Sequence, residues 1–258
     1  MQEKGTSTNR KEDAVTNSYV AIDIETTGLE PKIDKITEIA ALKVVDGSVA
    51  GRYVTLVNPR RPLGARIVEL TGITDGMLSG APGIEEVIRP FVEFCGDLPL
   101  LGHNILFDYG FLKRAAVNCG LEFEREGIDT LNLCRAFMPS ENKKNLAAAC
   151  AFYCVDQVQA HRAEADALSA HLLYQRMFAR HSGEREELFV PKSLIYRAKR
   201  EQPATKRQKE YLQDLIKCHR IDVTVQIDSL SRNEASRMID QILSQYGRKA
   251  KIKEVNLQ

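Results

Sequence analysis

The 258-residue chain has no apolar run long enough to cross a membrane. Its longest candidate, residues 146–155, is about half of the ~20 residues that a spanning helix needs. The first 18 residues are polar and charged and lack the apolar stretch of a secretory signal. We therefore predict a protein without membrane contact, located in the cytoplasm, with residues 1–17 as a disordered tail.

Cysteine is scarce, and its spacing provides no zinc or redox motif. The six cysteines include no C-x-x-C pair. Cys150 and Cys154 are one helical turn apart in an alanine-rich apolar stretch, which favours core packing over zinc binding. Without a secretion signal, this pattern indicates a reduced intracellular setting.

Net charge is also small, at +1, but it is unevenly distributed. Residues 1–181 hold 20 Lys and Arg against 24 Asp and Glu, whereas residues 182–258 hold 16 against 11. An acidic body with a basic appendage fits a carboxylate-rich site beside a surface that meets a polyanion. An ordinary solvated surface explains the same excess, and composition alone does not separate the two.

Hydrophobic periodicity predicts an α/β domain over residues 18–181, in which strands come first and helices then alternate with short strands. Two of the predicted strands, 36–45 and 49–57, are joined at Asp46-Gly47, which is a strong hairpin signal. Residues 84–95 have the apolar spacing of a helix. This order of elements predicts a mixed sheet flanked by helices.

A second unit is predicted beyond this domain. Residues 182–202 are charged, precede a proline and are predicted as a linker. Residues 203–247 are predicted as a small helical hairpin, because Thr205 and Ser231 each begin a capping-box pattern. Residues 248–258 form a basic tail. The unit could contact nucleic acid, pack on the domain or bind a partner protein. The basic residues available for nucleic acid are Lys206, Arg207, Lys209, Arg248, Lys249 and Lys251.

The most informative stretch is the predicted strand at 19–25. Alternation along a strand places Asp23 and Glu25 on one face. Two carboxylates on a core-like strand repel each other, and burial raises that cost unless a cation lies between them. An exposed edge strand with two solvated acids explains the pair as well. The interpretation therefore depends on whether further ligands follow.

Two further clusters supply such ligands. In residues 102–112, Asp108 lies in the first turn of a helix that follows a short buried strand. In residues 161–167, Asp166 lies in a helix whose neighbouring alanines allow close approach to the sheet, and His161 begins that helix. Carboxylate oxygens are the ligands that hard cations such as Mg²⁺ prefer.

In order and spacing, three motifs closely resemble those of the DEDD exonucleases, histidine subgroup. They are Asp-Ile-Glu-Thr-Thr-Gly-Leu at 23–29, His-Asn-x-x-Phe-Asp at 103–108 and His-x-x-x-x-Asp at 161–166. This is the family of the epsilon proofreading subunit of bacterial DNA polymerase III. The resemblance covers about residues 18–180. It implies a ribonuclease H-like fold, to which the C-terminal helical hairpin would be added.

The resemblance also implies a two-metal site that uses Mg²⁺ or Mn²⁺ to hydrolyse phosphodiester bonds. Asp23 would bridge both ions. Glu25 and Asp166 would complete one metal position, and Asp108 would hold the other. His161 would act as the general base toward the attacking water, because histidine titrates near neutral pH. Outside this motif context, an exposed histidine at a helix start would be the simpler interpretation.

Substrate contacts are a weaker implication of the same resemblance. The backbone around 26–27 would hold the terminal 3′-hydroxyl, while Leu29 and Phe107 would pack against terminal bases. Core packing explains Phe107 as well, and Asn104 could be a helix cap, a substrate contact or both. His103 could be a structural partner near the site. The predicted substrate-binding set is Thr26, Thr27, Gly28, Leu29, His103, Asn104 and Phe107.

The resulting prediction is a 3′→5′ exonuclease that releases nucleoside 5′-monophosphates from single-stranded DNA. An RNA-trimming enzyme on the same fold is the alternative within enzymes, because the motifs do not register the 2′-hydroxyl. A polymerase-associated subunit that acts mainly in a complex is the alternative from another class. The expected partners are single-stranded nucleic acid and a DNA polymerase or another replication or repair protein.

Overall fold

A computed structural model of the chain describes residues 15–157, 161–222 and 225–247. Most of the predicted N-terminal tail (1–17) and all of the predicted basic tail (248–258) lie outside these ranges. Within them, no helix has both the length and the apolar character needed to cross a bilayer.

Six strands form the central sheet of the described residues. They are β1 Tyr19–Thr26, β2 Ile36–Val45, β3 Ser48–Leu56, β4 Leu100–Gly102, β5 Glu126–Asp129 and β6 Lys192–Ser193. Their spatial order is β3-β2-β1-β4-β5-β6. β1 runs antiparallel to β2 and parallel to β4, while β5 runs parallel to β4 and antiparallel to β6. This confirms the predicted mixed sheet.

The β2–β3 hairpin forms as predicted. Asp46 and Gly47 have φ values of 48° and 78°, and paired positive values are what a type I′ turn requires. The Gly47 N–H donates to the carbonyl of Asn17 at 2.8 Å, which holds the turn against the start of β1. The pairing of β1 with β2 places Glu38 directly opposite Glu25. The pairing of β1 with β2 therefore places a third acid, Glu38, beside Asp23 and Glu25.

Helices cover both faces of the sheet. They are α1 Ala65–Thr71, α2 Asp75–Leu78, α3 Ile84–Cys95, α4 Ile105–Asn118, α5 Thr130–Phe137, α6 Leu146–Phe152, α7 Ala163–His181, α8 Lys206–His219 and α9 Arg232–Tyr246. α3 and α4 share an apolar core with one face of the sheet. α7 packs on the other face. There Ala163, Ala167 and Ala170 are at most 1% exposed, so short side chains bring α7 close to β1.

Residues 182–202, predicted as a linker, run along the domain and add to its sheet. β6 lies within this segment. Leu194 packs over Gly127, where an added Cβ would lie 2.8 Å from a Leu194 methyl carbon. Glu201 forms an ion pair with Arg114 of α4. The segment is therefore tied to the sheet at one end and to α4 at the other.

The C-terminal helical hairpin consists of α8 and α9, and both predicted capping boxes are present. The hydroxyls of Thr205 and Ser231 accept from the backbone N–H groups three residues further on. The two helices bury a small apolar core of their own. Its fully buried members are Ala204, Leu212, Leu215, Leu230, Ala235 and Ile242.

This hairpin lies against the loop that follows β1. Glu234, in the first turn of α9, forms ion pairs with Lys35 at 2.6 Å and Arg61 at 3.2 Å. Arg237 donates to the carbonyl of Lys32 at 3.2 Å. Burial would raise the pKa of Glu234, but Lys35 and the other partners outweigh it and lower the pKa to about 2. The contact is thus made by a charged carboxylate.

Candidate active site

The two acids of β1 lie on the face where alternation along the strand places them. Asp23 and Glu25 share the face of Ala21, which packs toward α7, while Ile22 and Ile24 belong to the opposite core. The β1–β2 register shifts between Glu25 and Thr26, at a bulge. Bulges re-aim side chains and often border functional sites. Both acids are therefore directed to the space beneath the start of α7.

Asp166 reaches the same space from the first turn of α7. Carboxylate oxygens of Asp23, Glu25 and Asp166 all lie within 4.8 Å of one another. Three hard oxygen donors at this separation fit a divalent cation such as Mg²⁺ or Mn²⁺. The structure thus brings together three of the four acids that were predicted as metal ligands.

Asp108 stands beside this triad. It lies in the first turn of α4 and is 4% exposed. Its Oδ1 accepts from the Ile24 N–H at 3.1 Å. β4 pairs with β1 only at Val20 and Ala21, so the N–H of Ile24 has no strand partner on that edge. Asp108 therefore completes the hydrogen bonding of β1 and lies next to the ligand group at the same time.

His161 lies two residues before the first residue of α7 and is held by its backbone. Its N–H donates to Oδ2 of Asp166 at 3.1 Å, and Gln157 donates to Oδ1 of the same acid at 3.0 Å. Its φ is 63°, a value that non-glycine residues seldom adopt and that is often found at functional sites. The side chain is exposed. The structure thus places the predicted base beside the acid triad with its ring open to solvent.

Burial is the largest cause of raised pKa values in this cluster. Burial, followed by the charges of Asp108 and Asp166, raises the pKa of Asp23 well above its ordinary value. Burial and then the charge of Asp166 raise the pKa of Glu25 to about 7. Burial also raises the pKa of Asp108 to about 8. A bound cation would favour the ionised forms and reverse these shifts.

Metal addition is expected to stabilise the folded protein more at pH 8 than at pH 5. An acid whose pKa is raised by folding binds more protons when folded, so stability falls as pH rises from the unfolded to the folded pKa. For Glu25 and Asp108 this window runs from about 4 to about 7 and about 8. Above it the repelling carboxylates are ionised and available to a cation. Melting temperatures with and without MnCl₂ test this, and equal shifts at both pH values would contradict it.

Two charged residues at this site were not predicted from the sequence. The side chain of Glu38, on β2, is 2% exposed and forms an ion pair with Arg162, the residue before α7. Glu38 shares its face of β2 with Ala40 and Leu42, which are buried. A single acid in an otherwise apolar stripe, opposite Glu25 in the pairing of β1 with β2, is the signal that could have identified it.

The end of β1 and the loop that follows it contain four of the predicted substrate-binding residues. Thr26 donates through its hydroxyl to the carbonyl of Gly28 at 2.6 Å. Thr27 donates to Asp34 at 3.3 Å and accepts from the backbone of residue 35. Gly28 packs against Asp34, since an added Cβ would lie 2.5 Å from that carboxyl group. Leu29 is 80% exposed and free to contact a ligand.

The remaining predicted contacts lie around the start of α4. Both ring nitrogens of His103 are engaged, with the hydroxyl of Thr130 at 2.9 Å and the carbonyl of Lys144 at 2.8 Å. Asn104 occupies the N-cap position without a side-chain capping bond. Phe107 is partly buried against Phe111, with ring centroids 5.1 Å apart. His103 is thus held as a structural partner, while Asn104 keeps its side chain available.

A mixed sheet with helices on both faces, and with acids at the end of its first strand, fits the predicted class of nucleases of ribonuclease H-like fold. Residues 20–174 match the RNase_T family model, which is described as exonuclease. The match covers more than half of the chain, so the chain belongs to this exonuclease family. The family predicted from the three motifs is confirmed.

Similar curated proteins include bacterial DNA polymerases. PolC-type DNA polymerase III of Bacillus subtilis (strain 168) is 42% identical over 163 residues, and that of Bacillus cereus is 40% identical over 161 residues. Each match covers 62% of this chain and 11% of the polymerase. This chain therefore spans only a small part of the length of these relatives.

Solved exonuclease structures share the fold. Exonuclease X in complex with 5′ overhanging duplex DNA is 26% identical, with a TM-score of 0.51 over 66% of this chain and 96% of that chain. The zinc-bound complex of E. coli ExoI with single-stranded DNA has a TM-score of 0.59, over 67% of this chain and 42% of that chain. Its identity of 19% shows similarity of fold alone.

Proposed function

We propose that the protein is a metal-dependent 3′→5′ exonuclease that removes nucleoside 5′-monophosphates from single-stranded DNA. The observation that carries this proposal is the convergence of Asp23, Glu25 and Asp166 within 4.8 Å. Asp108 and His161 lie beside that group, in a chain of the exonuclease family.

The oxygen donors of this site suit two Mg²⁺ or Mn²⁺ ions. Following the family resemblance, Asp23 would be shared by both ions. Glu25 and Asp166 would complete one position, and Asp108 the other. When bound, such ions stabilise the negative charge that develops on the attacking and leaving oxygens of a phosphodiester. The raised pKa values of Glu25 and Asp108 are consistent with acids that lack enough positive charge around them.

His161 is the residue that we assign to proton removal. A general base must come within hydrogen-bond reach of the proton that it takes. The backbone bond from His161 to Asp166 keeps this residue next to the acid triad. As water attacks the phosphorus of the terminal nucleotide, His161 takes its proton. The bond between phosphorus and the 3′-oxygen of the preceding nucleotide then breaks, and that oxygen takes a proton from solvent water, which leaves a shortened strand with a 3′-hydroxyl.

Contacts with the substrate follow from the loop after β1. Its backbone near Thr26 and Thr27 is fixed by the hydroxyl bonds to Gly28 and Asp34, so it can present rigid polar groups to a terminal 3′-hydroxyl. Leu29 is exposed enough to stack on a base. Stacking on an apolar side chain accepts any base, as a nonspecific exonuclease requires.

DNA is the substrate that the relatives favour. The Exonuclease X structure contains 5′ overhanging duplex DNA, and the ExoI structure contains single-stranded DNA. The matching polymerases contain the similar region within a much longer chain, which favours a DNA polymerase as a partner. A cytoplasmic location stays a prediction.

A degradation assay tests the substrate and the direction together. Matched DNA and RNA oligonucleotides, labelled at the 5′ end, are incubated with the protein and MgCl₂, both single-stranded and as duplexes. We expect a descending ladder from single-stranded DNA, with weaker cutting of duplex and RNA, and inhibition by a 3′-terminal phosphorothioate. Rapid loss of the 5′ label as a mononucleotide would contradict the direction. Faster cleavage of RNA than of DNA would contradict the proposed substrate and would assign RNA in its place.

A further inference from the structure

The residues just before α7 are held by a charged pair outside the predicted catalytic set. We propose that Glu38 and Arg162 are positioning residues, which hold His161 and Asp166 in place against the acids of β1. The proposal rests on the proposed exonuclease function and adds two residues to the machinery of that site.

Glu38 receives three hydrogen bonds from this segment. The Arg162 guanidinium donates through Nε at 3.2 Å and through Nη2 at 2.6 Å, and the Ala163 N–H donates at 3.1 Å. The forked arrangement matches the geometry in which arginine binds carboxylate most strongly. Both oxygens of the buried acid are therefore used, and both are used by residues at the start of one helix.

The role of Glu38 includes capping α7 from a neighbouring strand. Arg162 occupies the N-cap position but makes no side-chain capping bond. A helix start has unpaired N–H groups and a partial positive charge, so a carboxylate placed there is favourable. Glu38 supplies that carboxylate from β2. This ties the first turn of α7, which contains Asp166, to the strand that pairs with Glu25.

His161 is thereby held from both sides. Asp166 accepts from the backbone N–H of His161. Glu38 accepts from the side chain of Arg162 and from the N–H of Ala163. His161 has a φ of 63°, and such backbone persists only when its surroundings fix it. The two carboxylates provide that constraint. The direction of the His161 side chain therefore depends on the Glu38–Arg162 pair.

A packing role alone does not require this pair. The neighbours of Glu38 on its face of β2 are apolar, and an apolar residue would fill the position without the cost of burying a charge. Glu38 also lies directly opposite the ligand Glu25 in the pairing of β1 with β2. The pair is thus connected to both the base and the ligand group.

The test compares Glu38→Gln and Arg162→Lys with the wild type on a labelled single-stranded DNA. Misplacement of a catalytic group by about 1 Å can cost about 100-fold in rate. We expect kcat to fall about 10- to 100-fold in Glu38→Gln, with KM within about twofold, because the transition state is affected more than substrate binding. We expect a smaller fall in Arg162→Lys, which keeps the charge but loses the fork.

The matched control is Glu164→Gln on the same helix. Glu164 forms an exposed ion pair with Arg52, with side chains 40% and 60% exposed, and surface pairs contribute little. We expect the kcat of Glu164→Gln to equal that of the wild type. Rates are referred to folded protein, measured by circular dichroism. If Glu38→Gln does not fold, Arg162→Lys and Arg162→Met decide the question, because Arg162 is partly exposed.

A double-mutant cycle decides whether the two residues act as a unit. If they do, Glu38→Gln combined with Arg162→Met lowers kcat no further than the worse single change. Wild-type kcat in both single variants, or fully multiplied losses in the double variant, would overturn the positioning role. A wild type that degrades no nucleic acid would instead overturn the exonuclease proposal itself, so the two failures are distinguishable.

Discussion

Asp23→Asn is expected to abolish nuclease activity and most binding of divalent metal. Burial and the charges of four neighbouring carboxylates raise the pKa of Asp23. Asparagine keeps the shape of this side chain and removes its charge. Loss of a metal-held charge costs several kcal/mol of transition-state stabilisation, so we expect a fall of about 1000-fold or more in kcat. Initial rates on single-stranded DNA and Mn²⁺ titration calorimetry measure the two effects.

The same variant has a second expected effect that separates a site defect from misfolding. Replacing one of several repelling acids relieves repulsion in the metal-free protein, so we expect Asp23→Asn to melt at or above the wild-type temperature at pH 8. Asp46→Asn is the control, because asparagine suits the positive φ of that turn. Full activity in Asp23→Asn would remove Asp23 from the proposed site.

His161→Asn is expected to lower kcat by about 100- to 10,000-fold, the usual contribution of a general base. Asparagine is chosen because it tolerates the left-handed φ of 63° better than alanine does. The backbone N–H that binds Asp166 is retained, so we expect Mn²⁺ affinity to stay near the wild-type value. Steady-state kinetics and calorimetry on the same preparation measure both.

The control for this change is His219→Asn. His219 ends α8 and stacks on Tyr246 within the C-terminal hairpin, away from the acid triad. We expect it to leave kcat unchanged. Loss of both turnover and metal binding in His161→Asn would assign His161 to holding Asp166 in place rather than to proton transfer.

Local patterns predicted most of the elements that build this site. The alternation of β1 gave the shared face of Asp23 and Glu25, and Asp46-Gly47 gave the hairpin. The same reasoning missed the sixth strand at 192–193, because a two-residue strand carries no period of its own. It predicted residues 182–202 as a linker because the segment is charged and precedes a proline.

The site residues that could be predicted from the sequence are those that lie in the three motifs. The motifs identified Asp166 as a candidate ligand, but they could not supply its distance to the acids of β1. Glu38 lies outside all three motifs, and its partner Arg162 is 124 positions away in the sequence. The contact of Glu234 with Arg61 spans 173 positions. Such pairs are decided by the packing of distant segments.

By itself, the sequence determined the strand and helix periods, the turn, the helix caps and the chemical types at the site, because each depends on a few neighbouring residues. Only the tertiary structure decided that three carboxylates meet within 4.8 Å, that a buried acid on β2 caps α7 and that the C-terminal hairpin lies on the loop after β1. The physical reason is that burial and charge proximity arise between segments far apart in the chain, and these raise the pKa values of the acids and create the need for a cation.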